Sequence, residues 1–224
     1  KYYIWHMLTF SEENHIKSIF HLSASSVDGV STNSIAENLN TKASSVTEML
    51  KKHSEKSLIV YKKYHGAQLT ELGRKTALNI IRKHRLWEVF LVEKLNFKWD
   101  EVHDIAEQLE HIQSEKLTNQ LDKFLDFPTQ DPHGDPIPNP AGFIKFTPKL
   151  KLSDLNIGET GKFIGVKDSS STFLKYLYKR KISLGCNIKV LHQEDFDQSL
   201  HIGLDDTNLS ISIKSASNLY ITKI

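Results

Sequence analysis

A single cysteine, Cys186, is the first limit on this chain. One thiol in 224 residues allows no intramolecular disulfide and fits a reducing compartment, so a cytoplasmic location is expected. Cys186 sits beside strand-like residues and reads as a buried thiol rather than a nucleophile or ligand. No apolar run reaches the roughly 18 residues of a membrane span, so no membrane partner is expected. The opening Lys1-Tyr2-Tyr3-Ile4-Trp5-His6 is too short and wrongly flanked for a secretory signal. No catalytic nucleophile, phosphate loop or dinucleotide fingerprint appears, and the chain reads as a non-enzyme. Proline is confined: all six fall between Pro128 and Pro148, which marks an extended connector between domains.

What is present is a folded chain of about two or three small domains, 39% apolar and 25% charged. The net charge of +2 hides an asymmetry. Residues 41–75 carry eight basic side chains against three acidic ones, whereas residues 100–135 carry ten acidic against two basic. A polyanion-binding surface beside a cation-binding one follows from that split.

The basic block lies in a helical pattern. Residues 11–22 read as a helix capped by Ser11, with Glu12 and Glu13 suiting its N-terminal dipole and Ile16, Ile19 and Phe20 inward. A short helix capped by Ser31 or Thr32 carries Ile35, Ala36 and Leu39, and a third over 44–53 turns Val46, Met49 and Leu50 inward. Strand-like 58–61 and 67–70 then flank a basic turn. A helix pair followed at once by a hairpin predicts a winged helix-turn-helix that binds double-stranded DNA. Ser44, Ser45, Thr47 and Glu48 would present hydroxyls and a carboxylate at the exposed start of the recognition helix, with Lys42, Lys51, Lys52, Lys62 and Lys63 meeting phosphates. Lysines solvated on a purely structural helical hairpin are the alternative.

The acidic block centres on the stretch from Val102 to Ile112. Val102, Ile105, Ala106, Leu109 and Ile112 make one apolar stripe at helical spacing; His103, Glu107, Glu110 and His111 make a second. Two carboxylates and an imidazole within a turn are the ingredients of a divalent-metal site, although the same stripe alone also describes a solvated face. A long helix over 74–95 adds His84 and Glu88 at i, i+4, and a further helix over 114–125 carries Leu117, Leu121, Phe124 and Leu125. Large apolar residues on helices this short imply burial against a second subunit, a homodimer.

Three linked segments carry a resemblance: Arg82-Lys83-His84-Arg85-Leu86-Trp87-Glu88; Val102-His103-Asp104 with Glu110-His111; and Pro132-His133-Gly134-Asp135-Pro136-Ile137-Pro138. In this order and spacing the chain resembles the diphtheria toxin repressor and manganese transport regulator family of metal-dependent transcriptional repressors. The resemblance implies a multi-domain fold, mainly α then β: a winged helix-turn-helix over 1–73, a helical dimerisation and metal-binding domain with its Pro-rich connector over 74–147, and an SH3-like (FeoA-like) β-barrel over 148–224. It also implies a primary metal site at Asn14, Glu107, Glu110 and His111, and an ancillary one at His84, Glu88 and His103 with Asp131, His133 and Asp168. A carboxylate at Glu107, where iron-type members carry sulfur, favours Mn2+ over Fe2+. Asn14 departs from the usual Met or Asp, and Lys17 stands where binuclear members carry a second carboxylate. His53 and Ser57 replace an apolar residue and a glycine, and His53 could be a surface residue sensitive to pH. The expected function is metal-activated repression of metal-uptake genes at a palindromic operator. The rivals are a winged-helix regulator of an organic effector and a carboxylate-bridged metalloenzyme, the latter lacking the required Glu-x-x-His pairs.

Overall fold

The computed structural model describes residues 8–24, 29–62, 65–145, 148–204 and 207–224. Lys63, expected to contact DNA, lies outside them. The chain packs as two units. One takes the residues up to His84 with Glu107–Phe124 and Pro138–Ile144; the other takes Arg85–Ala106, Leu125–Ile137 and the chain from Lys145 onward.

In the first unit, helix α1 spans Phe10–Ser23 and starts at Thr9, not at Ser11. Thr9 Oγ1 accepts the Glu12 N–H at 3.3 Å and Glu12 Oε2 accepts the Thr9 N–H at 2.8 Å. That reciprocal pair satisfies two backbone donors at once, which a cap at Ser11 with Asn14 cannot match. Helix α2 (Thr32–Asn38) is capped by Ser31, whose Oγ accepts the Ser34 N–H at 3.0 Å. Helix α3 (Ala43–Glu55) follows Lys42 with no side-chain cap. Strands β1 (Ile59–Lys62) and β2 (Gly66–Leu69) pair antiparallel, Ile59 opposite Leu69 and Lys62 opposite Gly66. Ile16, Ile19, Ile35, Val46, Leu50 and Ile59 bury together beneath this winged helix.

Helix α4 (Glu71–Leu95) begins three residues earlier than the periodicity suggests, because the Thr70 hydroxyl accepts the Gly73 N–H at 3.0 Å. Helices α5 (His103–Leu109) and α6 (Glu115–Phe124) complete the helical part. Helix α5 is shorter than the Val102–Ile112 stripe. Val102 and Ala106 are fully buried, whereas Ile112 lies past the helix end and is 38% exposed. Within the first unit Arg82 on α4 donates to Asp122 at 2.7 Å and to Asn119 at 3.3 Å on α6.

In the second unit the chain forms β3 (Leu150–Lys151), a 3-10 turn, β4 (Thr160–Val166), α7 (Ser171–Lys179), β5 (Asn187–Gln193), β6 (Leu200–Leu204), β7 (Thr207–Ile211), α8 (Ile213–Ala216) and β8 (Leu219–Lys223). The strands pair antiparallel in the order β3-β8-β4-β5-β6-β7. Alternate residues such as Ile188 and Val190 on β5, and Leu200, Ile202 and Leu204 on β6, point into a core with Phe163, Leu174 and Leu177.

His53 is not a surface residue. It is fully buried on α3, and neither ring nitrogen has a hydrogen-bond partner among the described residues. It faces His15 of α1, ring centroids 6.3 Å apart, with Glu12 of α1 and Lys56 at the end of α3 nearby. Burial foremost, then His15, pushes the imidazole from its ordinary value down to about 4. A depressed histidine favours the neutral fold, so stability is full above the unfolded value near 6.5 and falls as pH drops toward 4. Thermal unfolding followed from pH 7.5 to 4 should show about 3 kcal/mol lost through this group, and His53→Leu should flatten that part of the profile. Parallel curves for the two proteins would remove His53 from the account.

Candidate metal centre

Glu110, in the turn after α5, has no solvent exposure, and its two oxygens face different partners. Oε1 accepts from Lys17 Nζ of α1 at 2.5 Å, and Oε2 lies 2.7 Å from His84 Nδ1 of α4. Glu107 Oε1 lies 2.6 Å from the same ammonium and 3.9 Å from His84 Nδ1. Burial works to raise the Glu110 carboxyl, but His84 and Lys17 together hold it below its ordinary range. His111 Nε2 is 4.0 Å from Glu110 Oε1, and its ring stacks on Phe10 at 4.5 Å.

Glu13 lies in the first turn of α1, as expected from the helix dipole, and it also has partners far along the chain. Glu13 is buried, lies 2.5 Å from His111 Nδ1, accepts from Gln113 at 2.6 Å and sits 3.6 Å from the Lys83 ammonium. Its neighbour Asn14 presents a buried Oδ1 with no hydrogen-bond partner among the described residues. An amide oxygen left so is costly unless a cation or another donor meets it. Helix spacing puts Asn14 between Glu13, which reaches His111, and Lys17, which reaches Glu107 and Glu110.

A second cluster forms wholly within the other unit. Glu88, Asp131 and His133 are all buried, and one ligand atom from each lies within 4.8 Å of the others. His133 Nδ1 is 3.6 Å from Glu88 Oε2, while its Nε2 lies 2.7 Å from the Trp99 carbonyl. A ring N–H donated to a backbone carbonyl fixes the tautomer and aims the other nitrogen at the carboxylates, the usual support for a metal-binding imidazole. Burial alone would lower His133, but Glu88 and Asp131 outweigh it and raise the imidazole to about 9. Burial first, then Glu88 and Asp135, push Asp131 up to about 6 against the pull of Arg85 and His133. Arg85 Nε stands 3.4 Å from Asp131. The group thus pairs two buried carboxylates with a proton held on His133, and a divalent cation bound there would replace that proton.

Of the expected ancillary residues, His103 Nδ1 lies 3.6 Å from Glu88 Oε1, and its side chain is 59% exposed. His84 hydrogen-bonds Glu110 in the first unit. Asp168 is exposed and accepts the Ser170 N–H at 2.9 Å; among the described residues it does not join the Glu88–Asp131–His133 group. All the donors in both clusters are oxygen or imidazole nitrogen, which fit a divalent ion of intermediate or hard character.

On α3, Lys42, Ser44, Ser45, Glu48, Lys51 and Lys52 are exposed, as is Lys62 on the wing. Thr47 is half-buried and turns its hydroxyl back to the Ala43 carbonyl at 2.9 Å.

Three family models match consecutive parts of the chain. They are an iron-dependent repressor N-terminal DNA-binding domain over residues 7–67, an iron-dependent repressor metal-binding and dimerisation domain over 70–139, and a FeoA domain over 150–223. A manganese-dependent transcriptional repressor solved with manganese is 33% identical, with TM-score 0.81, covering 95% of this chain and 100% of that one.

The chain belongs to the iron-dependent repressor family.

The manganese regulator SloR is 32% identical with TM-score 0.70, over 95% of this chain and 98% of its own. The iron-dependent repressor IdeR of Mycobacterium bovis is 34% identical over 131 residues, 58% of this chain and 56% of that protein. The diphtheria toxin repressor of Corynebacterium diphtheriae is 30% identical over 131 residues, 58% of each. The matched stretch thus spans a little over half the length of these curated relatives.

In this family member the Pro-His-Gly turn is held by a backbone bond from β4 and by the Lys149 side chain. Val166 N–H donates to the His133 carbonyl at 3.0 Å, and Lys149 donates to the Gly134 carbonyl at 3.0 Å. Gly134 has φ +85°, and a Cβ there would stand 1.9 Å from the Ile164 carbonyl oxygen. Gly134→Ala should therefore cost roughly 2 kcal/mol or more, read as a lowered denaturant midpoint of the full chain. An unchanged midpoint would show that the turn is not seated on β4.

Proposed function

We propose that this protein is a divalent-metal-activated, homodimeric transcriptional repressor that binds a double-stranded operator through α3 and the β1–β2 wing. The observation that carries the metal reading is the buried Glu88–Asp131–His133 group, with its imidazole tautomer set by Trp99. Asn14, Glu107, Glu110 and His111 form the second candidate, supported by the orphaned Asn14 oxygen and the fully buried Glu110. A bound ion supplies a cross-link between α1 and the end of α5, and so a fixed pose for the DNA-reading helices. An oxygen- and imidazole-only donor set, with no sulfur in either cluster, favours Mn2+ over Fe2+. Two of the relatives are named as manganese-dependent or manganese regulators.

Dimerisation is expected through the helical domain, where Leu117 and Phe124 stand exposed two turns apart on α6 and Phe127 follows. Two recognition helices spaced by one turn of duplex, about 34 Å or a multiple, imply a palindromic operator. With no membrane-crossing helix among the described residues and one cysteine in the chain, a cytoplasmic regulator of metal-uptake genes is the setting we infer. The catalytic alternative is not favoured, because the relatives that this chain resembles are named as transcriptional repressors.

Operator binding measured by fluorescence anisotropy with Mn2+, Fe2+, Zn2+ or chelator tests this directly. Affinity should rise with metal and collapse with chelator; equal affinity in both conditions would rule the mechanism out, and an organic effector would be sought instead. Lys51→Ala and Lys52→Ala should each weaken binding to operator and unrelated duplex alike. Each should also reduce the slope of log affinity against log salt by about 1. A change confined to the operator would place these lysines on bases instead of phosphates.

A further inference from the structure

The FeoA domain carries a histidine pair on its outer face that neither metal cluster uses. On β6, Leu200 and Ile202 point into the core, so His201 between them points out. A register shift between Val190 and His192 on β5 sets His192 opposite His201, and His201 pairs in turn with Ser210 of β7. Three side chains on neighbouring strands thus stand in one row, with the two rings 5.7 Å apart between centroids. Glu194, two residues past His192, brings one carboxylate oxygen to both. Its Oε1 is 2.8 Å from His201 Nε2 and 3.8 Å from His192 Nε2. We propose that His192, Glu194 and His201 form a solvent-facing zinc site, separate from the clusters around Glu88 and Glu110.

The surroundings support these three as ligands. Ser210 Oγ lies 2.8 Å from His201 Nδ1. An Nδ1–H donated to that hydroxyl leaves the Nε2 lone pair facing Glu194. The turn that carries Glu194 is tied down by its own bonds. Glu194 N–H donates to the Ser199 carbonyl at 2.9 Å, Gln198 N–H to the Glu194 carbonyl at 3.0 Å, and the Gln198 side chain to the Asp195 carbonyl at 2.8 Å. Residues 190–203 include Glu194, Asp195 and Asp197 but no lysine or arginine, so the local field draws cations.

The donor set selects the ion. Two imidazoles and one carboxylate leave a fourth position to water, the coordination that Zn2+ takes at an open site. Mn2+ stands at the weak end of the affinity order for such nitrogen-rich donors. The groups Glu88–Asp131–His133 and His84–Glu107–Glu110 each offer two carboxylates to one imidazole, the reverse ratio. Among the described residues His192, Glu194 and His201 converge less tightly than those groups, so the His192 ring, 60% exposed, must turn inward to complete the chelate. An ion held there cross-links β5 to β6.

The test uses the full chain stripped by chelator and titrated with Zn2+ against a chromophoric chelator, which counts zinc bound per protomer. Wild type is compared with His192→Ala, His201→Ala and the double variant. Thermal unfolding of the metal-free proteins checks that each variant folds, and glutamine replaces alanine where it does not. Each variant should bind one Zn2+ fewer per protomer than wild type, with operator affinity in Mn2+ unchanged. Ser210→Ala should keep the count and weaken this zinc about tenfold. An equal zinc count in wild type and the double variant would overturn the proposal. Loss in His201→Ala alone would overturn it too, because that pattern marks a single-imidazole contact. Failure of the metal-activated reading has a separate signature, a wild-type operator affinity indifferent to Mn2+.

Discussion

A carboxylate with no access to water must find positive charge inside the protein, and Glu110 finds it on two sides. The ammonium of Lys17 and the imidazole of His84 reach its two oxygens at 2.5 and 2.7 Å. Removing either partner would leave a buried charge uncompensated, a loss of several kcal/mol, whereas the intact triad gains little over an apolar core. Its value is therefore positional. Lys17 lies on α1, His84 on α4 and Glu110 just past α5, so one carboxylate fixes three helices of the winged-helix unit against one another. Glu13 repeats the device one turn away with His111, Gln113 and Lys83. The recognition helix inherits this constraint through α1, whose Ile16 and Ile19 share a core with Val46 and Leu50.

The two clusters differ in how far the protein has balanced its own charge. Around Glu110, Lys17 and His84 hold the carboxyl below its ordinary range. Around Glu88 the balance runs the other way: burial and the neighbouring carboxylates lift Asp131 to about 6, and His133 is raised to about 9. Asp131 is pushed away from its charged form, whereas His133 is pushed toward its own, so a dication entering this group takes the place of the imidazolium proton that now balances the carboxylates.

Much of this was legible in the residues. The winged helix followed from helix pair, hairpin and basic bias; spacing alone left Glu107, Glu110 and His111 between a metal site and a solvated face, and the family resemblance singled them out. Other features depend on contacts across the chain that no local pattern encodes. Glu13 looked like a dipole-friendly residue of a first turn, but its partner His111 lies 98 positions away. His53 looked like a surface variant because polar residues usually are exposed, yet α1 and α3 close over it completely. The cap at Thr9 was displaced by two residues because the Thr9–Glu12 reciprocity, not the first serine, satisfies the free N–H groups. Ser57, where the family resemblance leads one to expect glycine, has φ +57°, a left-handed backbone that favours glycine and that this chain meets with a serine.

Asn14 and Lys17 stand on α1 beside the acids at the end of α5. A neutral oxygen and a positive charge on adjacent turns of α1 change the charge that the end of α5 faces. The remaining acids, Glu13, Glu107 and Glu110, are all engaged by protein cations or imidazoles. Lys17 reaches both Glu107 and Glu110 within hydrogen-bonding distance, which keeps the two carboxylates from facing one another unpaired. On the metal-activated reading proposed above, metal controls only the difference in free energy between the ammonium-paired arrangement and an ion-bound one, not the full cost of assembling the site.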